Sequence, residues 1–91
     1  MRGKRVDDNQ QEIISALRKA GVLVLPLHEV GKGCPDILCG FRSTLVLLEI
    51  KDGNKPPSRR KLTPEQERFH TDWKGFVRVV SSVDEALEAV T

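Results

Sequence analysis

The segment PDILCGFRSTLVLLEIK, residues 35–51, decides the fold because its pattern is that of a β-hairpin. Residues 35–41 and 44–51 are two apolar runs of strand length, and Arg42-Ser43 lies between them as a short turn. The second run is continuously apolar up to Glu49, so we expect it to be buried on both faces. The segment therefore predicts two adjacent antiparallel strands at the centre of a sheet.

The length of the turn sets which side chains meet across this hairpin. A two-residue turn pairs Phe41 with Thr44 and places Asp36 directly opposite Glu49, with their Cβ atoms about 5 Å apart. A four-residue turn shifts the pairing but keeps its parity, and Arg-Ser is a poor dipeptide for the two-residue type. Because side chains alternate between faces, either register predicts that Asp36, Glu49 and Lys51 share one face.

These three charged residues predict a metal-dependent site. Two carboxylates that converge at about 5 Å repel each other unless one is protonated or a cation lies between them. Mg²⁺ or Mn²⁺ prefers oxygen ligands, so Asp36, Glu49 and the main-chain carbonyl of Ile50 are the candidate metal ligands. Lys51 could orient or help to deprotonate a metal-bound water. The alternative is that Asp36 lies at an exposed strand start while Glu49 and Lys51 form ordinary ion pairs, and a lone E-x-K tripeptide favours that alternative.

Helices and strands are predicted on both sides of the hairpin. Asp7 or Asp8 caps a first helix that runs to Arg18 or Lys19, and Gly21 follows at its end. A short strand over residues 22–25 comes next, and Pro26 confines it to a strand end or a sheet edge.

After the hairpin, Thr63-Pro64-Glu65-Gln66 is a capping box that opens a helix ended by Gly75. Phe69 and Trp73, four residues apart, are expected to face the core rather than to stack on nucleobases. A strand over residues 76–80 and a last helix capped by Ser82 complete the order αβββαβα. The prediction is a single α/β domain over residues 1–91, with a central mixed sheet flanked by helices.

Composition and charge limit the class of protein and its partners. The chain has 91 residues and 31% charged residues, and it contains neither a membrane-length apolar run nor a signal peptide, so we expect a cytoplasmic protein. Its net charge of +2 is unevenly distributed. The candidate DNA-binding cations lie in a flexible basic terminus, residues 1–6, and in a basic loop, residues 52–62: Arg2, Lys4, Arg5, Lys55, Arg59, Arg60 and Lys61. A solvated loop and a frayed terminus are the structural alternative.

The hairpin motif resembles the PD-(D/E)XK nuclease motif, with Pro35-Asp36 before the turn and Glu49-Ile50-Lys51 after it. Gln11-Glu12 on the first helix, the loop 31–36 and the segment 62–66 make the chain similar to the VRR-NUC branch, the virus-type replication-repair nucleases, in its stand-alone phage or bacterial form. The resemblance spans about residues 11–80. It implies a restriction-endonuclease-like core with the order αβββαβ.

The resemblance also implies roles for individual residues. By it, Asp36 and Glu49 are metal ligands, Lys51 is the catalytic lysine, Glu12 is an auxiliary acid near the metal, and Gln66 is the family glutamine of the following helix. Glu12 could instead be a solvated first-turn residue that the helix dipole favours. Gln66 could instead serve only as the capping-box partner of Thr63.

The function implied is a Mg²⁺- or Mn²⁺-dependent endodeoxyribonuclease. Stand-alone members of the resembled family form homodimers, which implies branched DNA such as four-way (Holliday) junctions as the substrate and DNA repair as the setting. A bacterial host or a phage-infected cell is the implied source. A non-catalytic nucleic-acid-binding module on the same fold, and a restriction-type enzyme that reads a short sequence, are the alternatives.

Overall fold

A computed structural model describes residues 8–91 of the chain, without the side chain of Asp8. The basic terminus with Arg2, Lys4 and Arg5, and the predicted capping side chains Asp7 and Asp8, lie outside this part. None of the helices in residues 8–91 is long and apolar enough to cross a membrane.

The element order is αβββαβα, as predicted from the sequence. The helices are α1 (Asp8–Lys19), α2 (Pro64–Asp72) and α3 (Val83–Val90), and the strands are β1 (Leu23–Pro26), β2 (Ile37–Phe41), β3 (Thr44–Ile50) and β4 (Val77–Val80). One 3₁₀ turn, Pro57–Arg59, lies within the basic loop.

The four strands form one mixed sheet in the order β1-β2-β3-β4. β1, β2 and β3 are antiparallel neighbours, whereas β4 runs parallel to β3. β1 therefore lies at an edge, as Pro26 requires. The predicted α/β class with a central mixed sheet is confirmed.

The hairpin has the two-residue turn. Phe41 pairs with Thr44 and Ile37 pairs with Leu48. Arg42 and Ser43 both have positive φ, 51° and 65°, the conformation of a type I′ turn, although neither residue favours it. Two flanking apolar strands in a sheet thus override the local turn preference.

The core lies on one face of the sheet, under α1 and α3. Ile13 and Leu17 of α1 pack there against Ile37, Leu48 and Val80 of the strands, all of them buried. Side chains of β2 and β3 alternate as predicted, since the buried Ile37, Leu48 and Ile50 belong to this face.

The opposite face is more open than the sequence suggested. Leu45 is 67% exposed, so the expected burial of β3 on both faces is wrong for its first half. The expectation that Phe69 and Trp73 face the core is also wrong, because Trp73 is 48% exposed and the two rings stack on each other at 5.2 Å. The reason is that α2 covers only part of this face, leaving an apolar groove of about 430 Å³ lined by Leu38, Leu47 and the aromatic rings.

Candidate active site

Asp36 lies at the point where the pairing of β2 with β3 ends. The last paired residues are Ile37 and Leu48, so Asp36 does not continue the ladder opposite Glu49. Its N–H instead donates to the carbonyl of Leu48 at 3.0 Å, and its carboxylate Oδ2 accepts the N–H of Ile50 at 2.7 Å. Asp36 is thus bonded to both sequence neighbours of Glu49, which holds it at the same place by a different set of bonds from the predicted one.

The preceding loop approaches α2 closely. Gly33 has φ +78°, and a Cβ atom there would clash with the main chain of Glu65 in the first turn of α2. Only glycine combines this left-handed conformation with so close an approach. The loop before Asp36 is therefore packed directly against the start of α2.

Glu49 is a buried carboxylate with a nearby cation. Its Oε2 lies 3.7 Å from Nζ of Lys51, and the two side chains are only 3% and 16% exposed. A buried carboxylate is costly unless it is paired and hydrogen-bonded. The ion pair predicted as the ordinary structural alternative is therefore present, but it is buried in the sheet rather than exposed at an edge.

Gln66 joins these two residues. Its Nε2 donates to Oε2 of Glu49 at 3.1 Å, and its Oε1 accepts from Nζ of Lys51 at 3.1 Å. The same Oε1 accepts from the main-chain N–H of Thr63, whose Oγ1 accepts the N–H of Gln66, so the capping box is also complete. The two interpretations of Gln66 are thus not alternatives, since one side chain makes both sets of contacts.

Glu12 is placed on the exposed side of α1. It lines a pocket of about 300 Å³ together with Asn9, Asp52 and Asp84. Within residues 8–91, no group of three or more His, Cys, Asp and Glu side chains is arranged to hold a metal ion. Among the side chains that the structure describes, the two acids of the hairpin therefore have no third carboxylate with them.

Two further residues, Asn9 and His70, lie near Lys51. Asn9 donates from Nδ2 to the main-chain carbonyl of Lys51 at 2.9 Å, which ties the start of α1 to the end of β3 across 42 residues. His70 lies one turn after Gln66, and burial together with the charge of Lys51 lowers the pKa of its imidazole. The sequence pattern does not predict either interaction, because each depends on how a helix packs on the sheet.

The basic loop lies between Lys51 and Thr63 and exposes most of its cations. Lys55, Arg59 and Lys61 are exposed, whereas Arg60 is half-buried. The loop leaves β3 directly after Lys51 and returns at Thr63. Both ends of the loop therefore adjoin the candidate site.

Comparison with known proteins supports a nuclease-type fold. A solved structure titled "VRR_NUC domain" is similar to this chain with a TM-score of 0.65 and 28% sequence identity, over 89% of this chain and 88% of the other. No family profile and no curated protein matches the chain. The hairpin motif and the structural similarity agree, and the chain is a small α/β domain with a nuclease-like fold similar to that of the VRR-NUC domain.

Proposed function

We propose that this protein is a Mg²⁺- or Mn²⁺-dependent DNA endonuclease that hydrolyses phosphodiester bonds. The observation that carries the proposal is the meeting of two acids and a lysine at the end of the hairpin. Asp36 is bonded to both neighbours of Glu49, and Lys51 lies 3.7 Å from the Glu49 carboxylate. A buried carboxylate, a second acid and a cationic side chain together suit a site that handles charged phosphate chemistry.

The donor atoms present suit a hard divalent cation. Asp36 and Glu49 offer carboxylate oxygens, and the N–H and C=O of Ile50 leave its strand on the same side. Because the Ile50 N–H points to Asp36, its carbonyl lies on that side as well. An all-oxygen set of this kind favours Mg²⁺ or Mn²⁺, which when bound supplies an acidified water and offsets phosphate charge. Glu12 is proposed as an auxiliary acid of the same centre.

In this proposal the residues around the metal ligands have separate roles. Lys51 orients the attacking water and offsets the charge of the phosphate, while Gln66 keeps the lysine beside Glu49. Lys55, Arg59, Arg60 and Lys61 of the basic loop, together with Arg2, Lys4 and Arg5 of the terminus, contact the DNA backbone. The strand is thereby held at the site without base-specific contacts.

We further propose that two copies act together on branched DNA such as four-way junctions. Exposed apolar side chains support a second copy: Leu23, Leu25, Leu45, Trp73, Phe76 and Val79, of which Leu45, Trp73 and Phe76 line the groove of the open sheet face. A patch of this kind marks an interaction surface. A two-fold pair would present two sites for paired incisions, in the cytoplasm of a bacterial host or a phage-infected cell.

Cleavage assays test the reaction and the substrate together. Linear, flap and four-way junction DNA are incubated with and without Mg²⁺, and the cut positions are mapped. We expect Mg²⁺-dependent cuts that favour the junction, and we expect Lys51→Ala, checked by circular dichroism for folding, to abolish them. Undiminished cleavage by Lys51→Ala would contradict the proposed site, and equal cleavage of all three substrates would remove the junction preference.

Calorimetry with Mn²⁺ tests the metal centre without DNA. The protein should bind Mn²⁺ saturably, and Asp36→Asn should abolish binding while keeping an amide oxygen to accept the Ile50 N–H. Unchanged Mn²⁺ binding by Asp36→Asn would exclude Asp36 as a ligand. No Mn²⁺ binding by the unmodified protein would instead favour a non-catalytic nucleic-acid-binding module.

A further inference from the structure

We infer that Thr63, the N-cap of α2, is a positioning residue for the active site. This inference rests on the proposed nuclease function and extends it to a residue that contacts neither the acids nor the lysine. The contacts run from the Thr63 hydroxyl to Gln66, and from Gln66 to Lys51 and Glu49. The start of α2 is thus part of the machinery that holds the lysine beside the buried acid.

The side-chain amide of Gln66 fits its surroundings in only one orientation. Its oxygen receives two donors, the Thr63 N–H at 2.9 Å and the Lys51 ammonium at 3.1 Å, and its nitrogen faces the Glu49 carboxylate at 3.1 Å. Turning the amide over would set donors against donors and an oxygen against a carboxylate. The amide therefore holds the Lys51 ammonium on its oxygen side and the Glu49 carboxylate on its nitrogen side, which fixes both their separation and their relative orientation.

The Thr63 hydroxyl fixes the backbone from which this amide extends. Its Oγ1 accepts the Gln66 N–H at 3.2 Å, one of the four N–H groups that have no partner inside a helix. On the other side, the close approach of Gly33 to Glu65 holds the same turn against the loop before Asp36. The first turn of α2 is thereby held by the Thr63 hydroxyl and by its close approach to the loop before Asp36.

The same contacts close the basic loop at its base. Lys51 precedes residues 52–62 and Thr63 follows them, and both donate to the single Oε1 atom of Gln66. The two ends of the loop that carries these cations are therefore joined through one atom, which also contacts Lys51.

A pair of cap variants separates positioning from stability. Thr63→Ala removes the α2 cap, and Ser82→Ala removes the matching cap of α3, where the Ser82 hydroxyl accepts the Glu85 N–H at 3.1 Å. Each should cost about 1 kcal/mol of stability. We expect kcat for DNA cleavage to fall on the order of 10- to 100-fold in Thr63→Ala, with KM changed less than about threefold, since misplaced groups lower the rate of the chemical step.

Ser82→Ala and Thr63→Ser are the controls for the Thr63→Ala measurement. Ser82→Ala should keep the unmodified kcat, and Thr63→Ser, which retains the hydroxyl, should restore it. An unmodified kcat in Thr63→Ala would overturn the inference, as would an equal fall of kcat in Ser82→Ala.

An NMR measurement on the metal-free protein tests the inference even if the protein does not cleave DNA. In Thr63→Ala the side-chain amide signal of Gln66 should shift and its hydrogen exchange should accelerate, while in Ser82→Ala both should stay unchanged. An unaltered Gln66 amide in Thr63→Ala would refute the positioning role. Failure of the unmodified protein to cleave any DNA would refute the proposed function alone.

Discussion

Replacing Lys51 by Met should destabilise the metal-free protein through the carboxylate that it leaves behind. The Glu49 side chain is 3% exposed, and the Lys51 ammonium lies 3.7 Å from its Oε2. Removing one partner of a fully buried ion pair costs about 3–5 kcal/mol. Here Gln66 still donates to Glu49 and the lysine is partly solvated, so we expect the cost to be smaller, about 2 kcal/mol.

A double-mutant cycle assigns this cost to the carboxylate. Lys51→Met combined with Glu49→Gln leaves no buried charge, so the double variant should recover most of the loss, with a coupling energy of about 1.5 kcal/mol. Urea denaturation at pH 8 in the presence of EDTA measures all four free energies of unfolding, and a loss of about 2 kcal/mol corresponds to a fall of roughly 8–16 °C in Tm. Lys19→Met, on the exposed end of α1, is the control and should stay within about 0.5 kcal/mol. Equal destabilisation in the single and double variants would refute the reasoning, because the lost methylene packing of Lys51 would then be the cause.

Three further predictions follow from the pKa shifts and from the loop before the site. Burial and the charge of Lys51 lower the pKa of His70 below 6.5. The contribution of neutral His70 to stability is therefore complete above pH 6.5 and is lost as the pH falls through the folded-state pKa. His70→Gln should flatten the dependence of Tm on pH between about 7 and 5, and an unchanged slope would contradict this prediction. Burial raises the pKa of the Cys39 thiol to about 11, so thiol reagents at pH 8 should label Cys39 only after unfolding. Mass spectrometry of digests measures this labelling, and rapid labelling of the native protein would contradict the prediction. Gly33→Ala should lower both Tm and cleavage, because its Cβ would displace the first turn of α2. Gly31→Ala is the control: residue 31 has open space around it, so this variant should affect cleavage little. Equal cleavage by the two variants would show that the close approach does not matter.

The hairpin and the helix caps were predictable because their signals are local. Alternation of side chains predicted which residues of the hairpin share a face, the two-residue turn was one of two registers it allowed, and Thr63 and Ser82 sit at the caps of α2 and α3. Glycine after the first helix was equally informative, since Gly21 has φ +90°. In each case, the deciding interaction lies within a few residues along the chain.

Exposure of the open sheet face was not predictable from the same patterns. Apolar periodicity shows that Trp73 and Leu45 lie on faces that favour burial, but not whether another element of this chain covers them. Both are largely exposed because α2 crosses only part of the sheet. A surface that a second copy would cover has the same sequence pattern as a core, and the same residues support the proposed dimer.

Asp36 is bonded to both sequence neighbours of Glu49, but it is not the directly opposite cross-strand partner that the two-residue turn predicted. Pairing across the hairpin stops at Ile37, and the Asp36 N–H donates to the carbonyl of Leu48. The Asp36 carboxylate then takes the Ile50 N–H that the ladder has left without a main-chain partner. The alternation of side chains along a strand cannot predict that a carboxylate takes the place of a main-chain acceptor, because it treats every residue of a strand as paired.

This replacement explains why the candidate site lies at the end of the hairpin rather than along it. Within a regular ladder the main-chain groups satisfy one another, and a carboxylate there would be buried without donors. Where the ladder ends, the Ile50 N–H gives Asp36 a donor, the amide of Gln66 gives Glu49 one, and the ammonium of Lys51 forms an ion pair with Glu49. Both acids are thus held in place by hydrogen bonds before any cation arrives, so binding a metal would not require them to be ordered first. The start of α2 supplies one of those donors, which makes the position of this helix, and not only the hairpin motif, a condition for a working site.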